Sequence, residues 1–454
     1  MTLASPFSRR IAGIFATRVA RFVLSLVISF LLARLLSPEG RGTYAPIILV
    51  PTMLFTLGQL GLPSAITFFA GRGRSGSALF RTSLGLAAGI SLVLLAIAWP
   101  AAAFVAPAVV PVAPPELIQV ALLSLPFQFA AAFCGSVLIG RQTMRNYNVI
   151  LVAQSAVLLI LIVVLLGALD LGVRGAVTAN VLAAAVAGTL VVLELRRTTR
   201  DDAPQPAARL GELTGYGMRI YPASITGFFS YRADIFLLSA MLGGIVGLQE
   251  ARVQIGLYAL AVSLAELAFY VPDSVATVFF PRVAGAERRA ADEMTPQVSR
   301  FTLLLTALAV LGLVPAAGLA VWILLPDFLG SLPPFLLLLP GVVSLSVAKV
   351  VSSYLTGLGL PLRVAAVSSA GVGLNVVANL LLIPAFGIMG AAAASLISYS
   401  AYAAALVAMS ARVSGRPALG YVVPTRADGQ RLVTGVRQLA GTLRRRTAGS
   451  GDAA

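Results

Sequence analysis

Apolar runs of about twenty residues, broken by short polar punctuation, set the pattern of this chain. Twelve can be counted, near residues 11–35, 43–70, 79–105, 117–139, 148–169, 175–195, 214–242, 255–282, 298–325, 333–357, 362–383 and 388–411. A helix of about 20 residues crosses a hydrocarbon core of roughly 30 Å, so each run predicts one membrane span. Pro51, Pro126, Pro272 and Pro340 fall inside runs, which membrane helices tolerate. The pattern therefore predicts an all-α polytopic membrane protein with about 12 transmembrane helices.

Composition agrees. The 454 residues are 58% hydrophobic and only 11% charged, against about 25% charged in soluble domains. A net charge of +16 would fit nucleic acid if the basic residues were clustered, but they are scattered between apolar runs. Membrane sidedness explains the excess instead. Arg9, Arg10, Arg72, Arg74, Arg81, Arg141, Arg145, Arg196, Arg197, Arg200, Arg282, Arg288, Arg363 and Arg412 fall in loops on one side. The other side holds Arg41, Arg174 and Arg252, with Glu39, Asp170, Glu250 and Asp327. This bias places both termini in the cytoplasm, as an even helix count requires. One cysteine and no histidine exclude a disulfide framework and leave no Cys/His metal site, and no cofactor is expected. Arg18 and Arg21 interrupt the first apolar run and no small-residue cleavage site follows, so it reads as a first span rather than a leader.

A hydrophilic stretch after the sixth run divides the chain. The expected organisation is an N-terminal six-helix lobe (1–200), a cytoplasmic linker (201–213), a C-terminal six-helix lobe (214–412) and a basic tail (413–454). The lobes look duplicated. Gly42-Thr43-Tyr44-Ala45 recurs as Gly256-Leu257-Tyr258-Ala259, Leu171-Gly172 as Phe386-Gly387, and Leu138-Ile139-Gly140 as Leu355-Thr356-Gly357. The shifts are 256 − 42 = 214, 387 − 172 = 215 and 357 − 140 = 217. Six helices repeated once keep their orientation, which predicts pseudo-two-fold symmetry along the membrane normal. In the tail, Leu432, Val433, Val436, Leu439 and Leu443 follow a helical period beside Arg431, Arg437 and Arg444 to Arg446. That reads either as an amphipathic segment on anionic lipid or as a disordered basic tail.

Charges at membrane depth are the candidate functional groups, because they are costly there unless they face protein or water. Arg21 lies 13 residues from Arg34, roughly 20 Å deeper at 1.5 Å per residue. Arg18, Arg21, Ser25 and Ser29 step along one side of the first helix. A guanidinium holds phosphate oxygens in a planar fork and keeps its charge. Lys349 sits near mid-depth in the tenth run, either against substrate phosphate or paired with an acid. Arg232 is a further cavity cation. Asp234, two residues on, points elsewhere. Ser263, Glu266, Tyr270, Asp273 and Thr277 form a polar stripe in the eighth run. The acids Asp234, Glu266 and Asp273 either bind a coupling ion or balance Arg232 and Lys349; charge balance is the favoured reading for Glu266 and Asp273. Gln59, Asn375 and Asn379 are polar cavity candidates or interhelix hydrogen-bonding groups.

The turn Leu36-Ser37-Pro38-Glu39-Gly40-Arg41-Gly42-Thr43-Tyr44 closely resembles the first extracytoplasmic turn of the polysaccharide (O-antigen type) flippases. These belong to the multidrug/oligosaccharidyl-lipid/polysaccharide exporter superfamily. The glycine turns at Gly172 and Gly387 and the two six-helix lobes are similar to that family too. The resemblance implies a non-enzymatic transporter in the bacterial cytoplasmic membrane. It would move a polyprenyl-diphosphate-linked glycan to the outer leaflet, in a pathway with glycosyltransferases and a polysaccharide polymerase. A cation-coupled multidrug exporter is the sister alternative, disfavoured because helices one to six carry no acid at membrane depth. A polymerase or ligase would need larger loops and acid–base groups than this chain offers.

Overall fold

The computed structural model describes residues 6–73, 76–200, 202, 210–425 and 428; the rest of the basic tail and the side chain of Arg18 lie outside the described residues. Everything with regular structure is helical: α1 (Pro6–Gly58), α2 (Leu62–Gly71), α3 (Gly76–Val109), α4 (Pro115–Leu122), α5 (Leu125–Gly140) and α6 (Met144–Ile162). These are followed by α7 (Gly172–Thr198), α8 (Leu210–Val246), α9 (Leu248–Glu266), α10 (Tyr270–Ala284), α11 (Arg288–Leu324), α12 (Leu332–Gly357) and α13 (Pro361–Ser414).

Among the described residues, ten helical stretches are long and apolar enough to span a membrane. Two of them each cover a pair of the expected spans. Helix α1 is broken at Ser37 (φ 61°, ψ 171°) and α13 at Gly387 (φ 54°, ψ −130°). Each segment on either side of these breaks is about 20 residues or more, long enough to cross on its own. Ten stretches with two internal breaks accommodate the twelve predicted spans. The expected loops at these two places are kinks instead, so the chain stays helical up to the reversal. The second span also ends early: Leu60 and Gly61 take positive φ (50° and 67°) and separate α1 from α2.

The chain packs into two compact units. One comprises Met1–Ser263, Ala320–Pro334 and Asn375–Ala391, the other Leu264–Leu319, Phe335–Leu374 and Ala392–Ala454. Within the first, Ile28, Leu32 and Leu36 of α1 pack on Ile162, Leu166, Ala176 and Ala179. Apolar burial gives little in a bilayer, so close contact must come from small side chains. Helix α7 supplies them at every fourth position, Gly175, Ala179, Ala183 and Ala187, all buried.

Details of the backbone recur at the repeat spacing. The end of α5 bonds Thr143 N–H to Leu138 O (2.9 Å) and Gln142 N–H to Ile139 O (3.0 Å). The end of α12 does the same with Leu360 to Leu355 and Gly359 to Thr356, both 3.0 Å. Both are Schellman caps, with positive φ at Gln142 (64°) and Gly359 (80°). Gly172 and Gly387 share φ values of 53° and 54°. Where α1 crosses α9, the contact is reciprocal. A Cβ on Gly42 would collide with the Arg252 carbonyl, and one on Gly256 with the Pro38 carbonyl. Since 38 + 214 = 252 and 42 + 214 = 256, each partner is the repeat equivalent of the other, the pattern of a contact across a two-fold axis.

Candidate functional site

The N-terminal half of α1 is open on two sides of opposite chemistry. Val19 and Val23 are exposed on one, Arg21 and Ser25 on the other. Residues two apart on a helix point about 160° from each other, so these pairs lie on nearly opposite faces. In a membrane-spanning helix the apolar face suits lipid, and the face with the guanidinium requires water or protein. This half of α1 therefore presents an apolar face and a polar, cationic face on opposite sides.

The polar stripe ends on a second arginine that the loop assignment concealed. Arg41, expected in an aqueous turn, is only 6% exposed. Its Nη1 donates to Ser29 O (2.6 Å), and its Nη2 donates to Ser29 Oγ (2.9 Å) and Ser263 Oγ (3.2 Å). Ser29 is thus occupied by Arg41 instead of lining open space. The kink at Ser37 folds the chain back so that the Arg41 side chain reaches Ser29 and Ser263. A glycine–arginine–glycine sequence beside a proline turn was the one available signal. Next to it Arg252 pairs with Glu39 (3.4 Å) and donates to Val112 O (2.9 Å). Arg34 is exposed and donates to Leu324 O (3.2 Å).

Lys349 is brought to Asp273: its Nζ donates to the Asp273 carboxylate and lies 4.3 Å from the Phe269 ring centroid. This geometry fits charge balance, with a cation–π contact that sequence spacing did not reveal. A double-mutant cycle of Asp273→Asn and Lys349→Met, read by thermal unfolding in detergent, is expected to return a coupling of about 1 kcal/mol. Strictly additive losses would remove that role.

Asp234 is buried; its carboxylate accepts the Tyr258 hydroxyl and the Ile235 N–H (2.8 Å). Arg232 and Glu266 are half-buried, while Tyr270 is exposed. Gln59 is half-buried at the end of α1. Asn375 and Asn379 are buried, and Asn379 Nδ2 donates to Asn375 O (2.8 Å) and Oδ1 (3.0 Å) within one helix. The structure holds these two amides away from open space and gives them to each other. Thr52 and Thr56 in α1 likewise donate to carbonyls of their own helix. No group of three or more metal-ligating side chains occurs among the described residues.

No protein of curated function matches the sequence. Among solved structures, the lipid II flippase MurJ in an inward closed conformation superposes with a TM-score of 0.72 at 14% identity, over 90% of this chain and 89% of that one. An inward-facing multidrug resistance MATE family transporter of the MOP superfamily gives 0.62 at 17%, over 87% and 94%. A MOP superfamily transporter from Pyrococcus furiosus, described as having a binding pocket of reversed polarity, gives 0.55 at 14%, over 89% and 94%. At these identities the likeness establishes the fold, a multi-pass membrane transporter fold shared by flippases and drug exporters. The sequence decides the family: residues 31–328 match the family described as polysaccharide biosynthesis protein, and the chain belongs to it.

Proposed function

We propose that the protein is a flippase that carries a polyprenyl-diphosphate-linked oligosaccharide across the bacterial cytoplasmic membrane by alternating access, with both termini cytoplasmic. The observation that carries this reading is the two-faced N-terminal half of α1, where Arg21 and Ser25 are exposed opposite Val19 and Val23. Arg21 meets the diphosphate with a fork of donors. The glycan crosses in water while the isoprenoid stays in lipid. Arg232, half-buried in α8, adds positive potential for an anionic cargo. The charge at membrane depth is what separates this reading from a multidrug exporter of the same fold.

The test is glycan export by a strain carrying Arg21→Ala. Export is expected to fall by more than about tenfold, since a lost charge-assisted contact is worth roughly 1.5–3 kcal/mol, with membrane insertion unchanged. Normal export by a stably inserted variant would remove the capture role.

A further inference from the structure

We propose that Arg41 is a second anion station, at the arginine-poor end of the α1 stripe, and that the arriving diphosphate unlatches that end by drawing Arg41 away from Ser29 and Ser263. The inference rests on the flippase reading and adds to it the step that follows capture.

Three observations converge. The first is position. Arg21, Ser25 and Ser29 advance four residues at a time along one face of α1, and Arg41 bonds the last of them through both its carbonyl and its hydroxyl. Ser29 is eight residues beyond Arg21, about 12 Å along the axis at 1.5 Å per residue. An anion leaving Arg21 along this face therefore meets Arg41 next.

The second is charge. A buried guanidinium is ordinarily matched by a carboxylate, because neutral acceptors repay only part of its desolvation. All three partners of Arg41 are neutral oxygens, and no carboxylate pairs with it among the described residues. A diphosphate supplies the missing negative charge and a bidentate match to the guanidinium, which Ser29 and Ser263 cannot.

The third is linkage. Ser29 belongs to α1 and Ser263 to α9, the two helices that touch at Gly42 and Gly256. Arg41 ties them together beside that contact. Transferring its donors from Ser263 to phosphate removes the side-chain tie at the step when the cargo needs an exit. The binding energy of the anion is thereby spent on the state that releases it, as a population shift requires.

The experiment is hydrogen–deuterium exchange on the full-length protein in nanodiscs, with and without millimolar inorganic pyrophosphate, read over residues 36–46 and 255–266. In the wild type, pyrophosphate is expected to raise exchange in both segments by about tenfold. Arg41→Gln is expected to exchange fast without pyrophosphate and to show no response to it. An unchanged wild type, or an Arg41→Gln protein that responds as the wild type does, would overturn the station. Arg21→Ala is measured in parallel. If it exports glycan normally and its outer segments still answer pyrophosphate, the capture reading falls and the Arg41 station stands.

Discussion

Replacing Gly256 by valine is expected to keep α1 and α9 apart and to depress glycan export strongly, with the protein still inserted in the membrane. The reason is the nature of the obstacle. A Cβ at Gly256 meets the Pro38 carbonyl, and one at Gly42 meets the Arg252 carbonyl. A side-chain tip swings aside, whereas a carbonyl inside a helix is fixed by its own hydrogen bond. Overpacking a tight contact costs about 1–3 kcal/mol, so a two-state closure would shift by roughly 5- to 150-fold. Because the contact is reciprocal, Gly42→Val should reproduce the effect. The measurement is labelling of a cysteine near Glu39 by a membrane-impermeant maleimide, alongside export. Wild-type labelling and export in both variants would show that this contact does not control closure.

The second large effect concerns the start of the C-terminal tail. Arg300 pairs with Asp428 (2.6 Å) and also donates to Gly420 O, while Thr425 bonds the same carboxylate through N–H (2.9 Å) and Oγ1 (2.6 Å). Both charged side chains are nearly buried, at 12% and 3% exposure. No charged residue follows Arg300 until Asp327, so the pair sits where the ninth span begins. Arg300→Ala leaves a buried carboxylate without its cation, at a cost of about 3–5 kcal/mol. The segment from Gly415 to Asp428 is then expected to detach and to be cut by trypsin at Arg416 at least about a hundredfold faster. The hydrogen bond from Arg300 holds the Asp428 carboxyl down to about 2, below its ordinary value. A depressed carboxylate stabilises the folded form above its unfolded value and loses that contribution as pH falls through the folded one. Docking should accordingly be complete above about pH 4 and be lost on approaching pH 2. Unchanged proteolysis of Arg300→Ala would show that the pair does not hold the tail.

The spans were legible in the sequence because bilayer thickness imposes a length on every apolar run. Their continuity was not. Ser37 and Gly387 reverse the chain through single backbone conformations, and hydropathy cannot distinguish such a kink from a loop. Ser37 holds a conformation nearly reserved for glycine, at a cost of about 1–3 kcal/mol, and nothing in its side chain announces it. Arg21 stands out in the sequence because depth alone marks it. Arg41 was missed because an arginine beside Pro38 and Glu39 reads as solvated, and only the folded kink buries it. The Lys349–Asp273 pairing was anticipated as charge balance, but the Phe269 ring beneath the ammonium depends on helix orientation that spacing does not define.

The reciprocal meeting of Gly42 and Gly256 makes the lock beside it one-sided. At a shift of 214, Arg41 falls on Ile255 and Ser263 on Leu49, neither of which can make the same bonds. The crossing is thus tied by a polar side chain on one arm alone, and a single substitution at Arg41 removes the whole tie.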